Sequence, residues 1–180
     1  MQEHAQVVLF TANAKLASAL KHRFSSTSNI VVFCGNALEV TDKYKLDALC
    51  ITASQASYYG VSQPRTADSS RVFPMPADSR MKGLPRLLIS GISLLAGNIY
   101  TERFIGRNPA ITLATAIAEY NKRNDRRILR VGSIPENLAI DSPDADDATE
   151  ALEQAFSDLR VYNGQTPGKR AGTGQRAILS

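Results

Sequence analysis

Small polar residues follow two apolar segments of this chain, and their positions are typical of a ligand site. The segment 30–34 runs into Gly35 and Asn36, a short acidic connection follows, and the segment 47–51 then runs into the small residues of 52–54. In an open α/β sheet, ligands lie outside the carboxyl ends of the strands, where turns offer backbone N–H groups and small side chains. Two such strand ends, close in sequence, predict a crevice of nucleotide size.

Tyrosine and arginine side chains come next along the chain. Tyr58 and Tyr59 follow the second strand closely, and Arg65, Arg71 and Arg80 lie in the same long polar stretch. A tyrosine ring can stack on a base or a ribose, and a guanidinium group binds phosphate well. Two interpretations follow: the tyrosines cap a nucleotide whose phosphates contact arginines, or the tyrosines fill the crevice and the arginines are solvated.

The histidine, cysteine and acidic residues of this chain do not have the spacing of a catalytic or metal site. His4 and His22 have neither an acid nor a nucleophile at a useful spacing, and no His, Cys and Asp residues have the spacing of metal ligands. The acidic residues of 144–147 are explained more simply by favourable charge at the start of a helix. We therefore predict no catalytic residue, no metal ligand and no cofactor.

The composition is that of a folded protein with one main domain. The chain has 180 residues, of which 43% are hydrophobic, so a substantial core can form. No apolar run approaches the roughly 20 residues that span a bilayer, and the first ten residues do not resemble a secretion signal. Cys34 and Cys50 fall in predicted buried strands, as structural thiols of a reducing compartment do. We expect a cytoplasmic protein without a membrane partner.

The last 18 residues differ from the rest of the chain. Residues 163–180 are rich in glycine, lack periodicity, and contain Lys169, Arg170 and Arg176 but no acid. This composition predicts a flexible basic tail that accounts for part of the net charge of +4. The segment 164–170 is only faintly similar to a phosphate loop, because its glycines are one residue too close and Arg170 stands where a Ser or Thr should hold magnesium. Since no aromatic pattern accompanies the charges, we expect no nucleic-acid partner.

Apolar strands alternate with amphipathic helices over residues 1–162. The predicted strands are 7–10, 30–34, 47–51, 86–92 and 127–131, the last ended by Gly132. The predicted helices begin after the caps Asn13 and Asn108, with Pro109 in the first helical position, and a last helix lies near 148–159. Short helical turns are expected in the irregular stretch 54–82. This order predicts an α/β fold in three layers, α/β/α, around a mixed, largely parallel sheet.

The order of these motifs resembles that of the macro domains, in particular a divergent set from bacteria and phages. The opening VVLFTANAKLASALKHRF is similar to the family's first strand and helix. The segment 34–38, Cys-Gly-Asn-Ala-Leu, resembles a strand that ends in Gly-Asp and an aliphatic residue. The segment 47–55 resembles an Asp-Ala strand that leads into Pro-Ala-Asn-Ser. The resemblance extends over about 6–161, as order and pattern more than identity.

The resemblance implies a cleft for ADP-ribose. Asn36 stands where the family has an aspartate that accepts a hydrogen bond from the adenine amino group, and Ser54 stands where an asparagine binds the distal ribose. The two phosphate loops correspond to 56–63 and 132–137. The ligand-binding residues implied in this way are Asn36, Ala37, Ala53, Ser54, Tyr58, Tyr59, Gly60, Gly132, Ser133 and Ile134.

Several residues depart from the family pattern. Tyr58 and Tyr59 occupy a loop that is otherwise rich in glycine, Pro135 removes a backbone donor, and Glu136 adds negative charge near the expected phosphate. Ser54 also lacks the amide that the family's hydrolases use. The sequence therefore predicts a non-catalytic module that binds ADP-ribose or a related nucleotide. The alternatives are a protein-interaction or structural module that lost the ligand, and an ADP-ribosyl hydrolase.

Overall fold

A six-stranded sheet with helices on both faces forms the centre of the chain. The computed structural model describes residues 5–58, 60–61, 71–92, 109–135, 149–150 and 152–155. Within these residues the strands are mostly parallel, so the α/β/α fold and the mixed sheet predicted from the sequence are confirmed.

The order of the strands in the sheet differs from their order in the chain. The strands are β1 (Gln6–Thr11), β2 (Ile30–Cys34), β3 (Ala48–Ile51), β4 (Val72–Pro74), β5 (Leu87–Ser90) and β6 (Arg130–Ser133). They are arranged as β2-β1-β6-β3-β5-β4, and β4 pairs antiparallel to β5. The strand β6 therefore lies between β1 and β3, and Val131 is in register with Val7 on one side and Ala48 on the other.

Helices cover both faces of the sheet and enclose two separate cores. They are α1 (Ala14–Arg23), α2 (Ala37–Tyr44), α3 (Ala53–Tyr58), a 3₁₀ turn (Ser79–Met81), α4 (Pro109–Arg123) and a C-terminal helical segment at 149–150 and 152–155. One core includes residues of α1, α4 and the C-terminal segment, and the other includes residues of α2, α3 and the 3₁₀ turn.

Strand β1 shows why the sheet needs helices on both faces. Val7 and Leu9 belong to the first core, whereas Val8 and Phe10 belong to the second, and all four are buried. Successive side chains of a strand point to opposite faces, so a strand that is apolar at every position must be covered twice.

Two predicted helix starts can be compared with the structure. Asn13 is the N-cap of α1, as predicted, and its Oδ1 accepts hydrogen bonds from the N–H groups of Lys15 and Leu16 at 3.1 Å each. Pro109 is the first residue of α4, as predicted. Asn108, the residues of 144–147 and the tail 163–180 lie outside the described residues.

The segment between β2 and β3 was predicted as a short connection, and this prediction is wrong. It contains α2, a helix of eight residues in which only Val40 is buried. Eight residues make only about two turns, so its apolar positions recur too few times to establish a helical repeat. A usable signal is nevertheless present, since Asn36 and Glu39 have the spacing of a capping box.

The last strand begins and ends later than predicted. We expected it at 127–131 with Gly132 after its end, whereas β6 includes both Gly132 and Ser133. The backbone before the strand is held by a side chain: Asp47 Oδ2 accepts hydrogen bonds from the N–H groups of Leu129 and Arg130 at 2.9 and 3.1 Å. Gly132 therefore serves the interior of the sheet and does not end the strand.

The stretch 54–82 was predicted to be irregular with short helical turns. The described part contains α3 and the 3₁₀ turn, which confirms the helical turns, and also the strand β4, which the sequence did not predict. β4 has three residues and ends at Pro74, and it forms one edge of the sheet. Proline suits an edge strand because one side of such a strand needs no backbone donor.

Candidate functional site

The carboxyl ends of the five parallel strands lie along one edge of the sheet, here called the carboxyl edge. From β1 the chain continues to β2 on one side, and from β3 it continues to β4 and β5 on the other side. In open α/β sheets, ligands bind where connections diverge in this way, and in this strand order that place is the ends of β1, β6 and β3. The segments that follow β2, β3 and β6, which contain most of the predicted site residues, therefore share one edge.

Asn36 follows β2 at this edge, and its side-chain oxygen is already engaged. Asn36 Oδ1 accepts hydrogen bonds from the N–H groups of Leu38 and Glu39 at 3.0 Å each, and Glu39 Oε2 accepts one from the Asn36 N–H at 2.8 Å. This reciprocal pair is a capping box. The oxygen that we expected to accept from an adenine amino group thus stabilises the start of α2, whose first residue is Ala37.

The residues after β3 form a second capping box. Thr52 Oγ1 accepts a hydrogen bond from the N–H of Gln55 at 3.3 Å, and Gln55 Oε1 accepts one from the N–H of Thr52 at 3.1 Å. Ala53 and Ser54 are the first two residues of α3, and Ser54 is exposed. The sequence analysis missed Thr52 and Gln55, although their spacing is itself a helix-start signal.

Gly60 ends α3 and has a conformational reason to be glycine. Its φ is +77°, a region that side chains with a Cβ rarely adopt. The Gly60 N–H donates to Ser57 O at 3.0 Å and the Val61 N–H donates to Ala56 O at 2.9 Å, which is the bonding of a Schellman motif. The predicted phosphate-loop glycine is therefore the C-terminal stop of a short helix.

Tyr58 lies on the surface of the protein. Its side chain is 68% exposed, and the guanidinium carbon of Arg80 lies 4.7 Å from its ring centroid. Arg80 also donates to Asp78, from Nε to Oδ1 at 3.0 Å and from Nη2 to Oδ2 at 2.6 Å. Hydrogen bonds from the side chain and then the backbone of Arg80 lower the pKa of Asp78 to about 2. Tyr58 thus does not fill the crevice, and Tyr59 lies outside the described residues.

Gly132, Ser133 and Ile134 form the end of β6 and the residue after it. Gly132 is buried, and a Cβ built there would lie 2.5 Å from Leu46 Cδ1. Ser133 is also buried and is in register with Cys50 of β3. Ile134 packs against the second core. Of the three predicted ligand residues at this strand end, Gly132 and Ser133 are thus buried in the sheet and Ile134 is half-buried.

The two cysteines occupy different environments. Both are free thiols, Cys34 exposed and Cys50 buried, so the prediction that both are buried is wrong for Cys34, which is the last residue of the edge strand β2. Burial raises the pKa of Cys50 to about 12, although a hydrogen bond with Ser133 and the charge of Arg71 act in the opposite direction. Cys50 Sγ donates to Ile92 O at 3.5 Å. A thiol held in this way stays protonated and is a poor nucleophile.

Arg71 is the most unusual side chain at the carboxyl edge. It precedes β4, is only 6% exposed, and donates from Nη1 to the carbonyl oxygens of Ser90 and Gly91 at 3.5 and 3.4 Å. Its Nε is buried without a hydrogen-bond partner, and the same is true of Ser90 Oγ. Among the residues described, no acid lies within ion-pair distance of Arg71. Burial lowers the pKa of this guanidinium, but arginine remains charged in proteins.

The opposite edge of the sheet, at the amino ends of the strands, holds an open cavity of about 600 Å³. Asp47 and Arg86 lie at its wall. Arg86 donates to the carbonyl oxygens of Arg126 and Arg127 at 3.0 Å each and to the hydroxyl of Tyr120 at 3.2 Å. Together with the Asp47 hydrogen bonds described above, these contacts join the amino ends of β3, β5 and β6. We therefore interpret this region as structural.

None of the helices within the described ranges has the length and hydrophobicity to cross a bilayer, and the side chains placed there include no group of three His, Cys, Asp or Glu residues suited to a metal ion. Comparison of the chain with protein-family models, curated proteins and solved structures finds no match. The similarity to macro domains therefore stays a prediction from the sequence.

Proposed function

We propose that this chain binds ADP-ribose or a related nucleotide at the carboxyl edge of its sheet and does not catalyse a reaction on it. The observation that carries the proposal is the position of β6 between β1 and β3. Because of this strand order, the segments that resemble the adenine, ribose and phosphate contacts of macro domains follow strands that end at the same edge.

The spacing of these segments suits an extended ligand. The ends of β2 and β3 are separated by β1 and β6, so they lie about 14 Å apart at the usual distance between neighbouring strands. A base near Asn36 and a ribose near Ser54 would leave the phosphates between them, over the ends of β6 and β3, with Ser133 and Ile134 on one side. This arrangement favours a nucleotide with two linked halves over a single small ring.

The chemistry of the described side chains favours binding over catalysis. Thr52 and Gln55 are engaged in the capping box of α3, and Asn36 is engaged in that of α2. The pKa of Cys50 is raised to about 12 by burial, so its thiol does not act as a nucleophile at neutral pH. An ADP-ribosyl hydrolase remains the alternative that requires a water held beside Ser54 and measurable turnover.

A protein-interaction module is the second candidate, and a specific surface favours it. Tyr58 is 68% exposed, and the guanidinium group of Arg80 lies over its ring. Tyrosine and arginine are the residue types that contribute most to protein interfaces. This surface explains Tyr58 without a nucleotide.

Calorimetric titration with ADP-ribose, with AMP and NAD as comparators, tests the proposal. The informative variant is Asn36→Ser, because serine keeps the cap of α2 while it changes the group offered to a base. Asn124→Ser is the matched control, since Asn124 follows α4 at the amino edge and its Nδ2 donates to Tyr120 O at 2.8 Å. Micromolar binding that Asn36→Ser weakens and Asn124→Ser does not would support the proposal. Absence of heat with all three nucleotides, from folded protein, would contradict it and favour the interaction module.

A further inference from the structure

We propose that Arg71 binds an anionic group at the carboxyl end of β5, the strand next to β3, and that this group is the nucleotide phosphate attached to the ribose near Ser54. The inference rests on the proposed function and adds the residue that recognises the phosphate. Macro domains contact the phosphates through glycine-rich loops, which this chain lacks; here the side chain of Arg71 would make that contact.

The first argument is the cost of burying an unpaired charge. Arginine is almost never buried without a partner, because removing its charge from water costs free energy that only an anion or several good acceptors can offset. Arg71 is 6% exposed, yet its two hydrogen bonds to carbonyl oxygens are long, at 3.5 and 3.4 Å, and its Nε has no partner. A bound anion would supply the missing acceptor.

The second argument is a hydroxyl group beside the arginine. The Ser90 N–H donates to Arg71 O at 2.9 Å, so the backbone holds the two residues next to each other. Ser90 is fully buried and its Oγ also has no hydrogen-bond partner. A guanidinium and a hydroxyl are both donors to phosphate oxygens, so one anion would satisfy two groups that otherwise stay unpaired.

Two other arginines show what a structural arginine looks like in this protein. Arg80 forms two hydrogen bonds with Asp78 and lies on the ring of Tyr58. Arg86 also has an unpaired buried Nε, but it lies 3.9 Å from the carboxylate of Asp47 and donates to two carbonyl oxygens at 3.0 Å. Arg71, by contrast, precedes β4 and lies beside Ser90, the last residue of β5, at the edge where the nucleotide is proposed to bind. Arg80 therefore serves as the matched control.

The test combines thermal unfolding with titration. The variant Arg71→Met keeps the length of the side chain and removes its charge, and Arg71→Lys keeps a charge without the guanidinium fork. In the absence of ligand, Arg71→Met is expected to unfold about 2–4 °C above the parent, because an uncompensated buried charge has been removed. Pyrophosphate is expected to stabilise the parent but not Arg71→Met, and Arg80→Met should respond to pyrophosphate as the parent does.

Titration with ADP-ribose and with adenosine, which has no phosphate, completes the test. We expect Arg71→Met to weaken ADP-ribose binding at least about tenfold and to leave adenosine binding unchanged, with Arg71→Lys in between. Equal affinity of parent and Arg71→Met for ADP-ribose would overturn the inference and leave the proposed function standing. Stabilisation by pyrophosphate that depends on Arg71, in a protein that binds no nucleotide, would support the anion site and overturn the proposed function. A parent that responds to neither probe would overturn both.

Discussion

Thr52 and Gln55 hold each other's backbone N–H groups at the carboxyl end of β3. Asn36 and Glu39 do the same after β2. The small polar residues that suggested a ligand site thus begin two short helices, α2 and α3, right at the end of their strands. Any ligand at this edge meets a surface whose polar side chains are already positioned by the backbone.

Removal of the first cap should destabilise the protein. We expect Asn36→Ala to lower the free energy of unfolding by about 1 kcal/mol, because two backbone N–H groups of α2 lose their acceptor. Asn36→Asp and Asn36→Ser preserve an acceptor, so each should lower the free energy of unfolding by only about 0.3 kcal/mol. Urea unfolding of the three variants measures the difference. Equal stability of the alanine and serine variants would show that the cap is unimportant and that Asn36 serves another purpose.

Gly132 should matter for packing. A Cβ at this position would lie 2.5 Å from Leu46 Cδ1 and 3.3 Å from Phe10 Cε1, both in the buried second core. We expect Gly132→Ala to destabilise the protein by about 1–3 kcal/mol, as overpacking of a core usually does.

A double variant separates this clash from other effects of the substitution. Leu46→Ala alone should cost about 2–5 kcal/mol through its cavity. Combined with Gly132→Ala it should cost clearly less than the sum of the two, because the new methyl group occupies part of that space. Additive costs, measured by urea unfolding, would argue against the contact.

The two thiols should react at very different rates. Cys34 is exposed and should be modified by a thiol reagent in the folded protein, whereas Cys50 is buried and should react only after unfolding. Because burial raises the pKa of Cys50 from 9.0 to about 12, its thiol should stay protonated, and therefore unreactive, at pH 10. Mass spectrometry of the labelled protein counts the modified sites. In Cys34→Ser no rapid modification is expected, and rapid labelling of that variant would contradict the structure.

The Asp78–Arg80 pair should contribute to stability in a pH-dependent way. Hydrogen bonds from Arg80 lower the pKa of Asp78 from 3.8 to about 2, so the carboxylate form is favoured by folding. A lowered pKa means that the contribution is present above about pH 4 and is lost as the pH falls towards 2. The parent should therefore be more stable than Asp78→Asn at pH 6, and the difference should shrink by pH 2. A difference independent of pH would show that charge is not involved; since both side chains are exposed, we expect the effect to be small.

The sequence predicts the strands of this fold better than its short helices and its strand order. Strand β2 lies at 30–34, as its apolar run predicts, and Asn13 and Pro109 mark helix starts by local chemistry alone. By contrast, α2 has only eight residues, of which one is buried, and two turns are too short to establish a helical repeat. The strand end after Ser133 depends on pairing with Leu9 and Cys50, both more than 80 residues away along the chain, which no local pattern can show.

For the candidate site, the sequence predicted which residue types are present but not whether each side chain is buried or which partner it has. Arg71 and Arg80 lie in the same polar stretch and look alike in the sequence. Their roles differ because Arg80 is two residues from Asp78 and forms an ion pair with it, whereas Arg71 is buried through the pairing of β4 with β5. Only tertiary contacts distinguish the two.

The place of β6 also constrains the order in which the protein can form. The pair β1–β2 and the group β3–β5–β4 can each assemble from neighbouring parts of the chain, but among the described strands only Arg130–Ser133, from far along the chain, pairs with both. Until that strand is in place, each half-sheet presents a central strand as an unpaired edge, which is a template for association with other chains. During synthesis, the two half-sheets of the first 129 residues therefore lack the strand that pairs with both of them. A chaperone, or rapid completion of synthesis, would protect them during that interval.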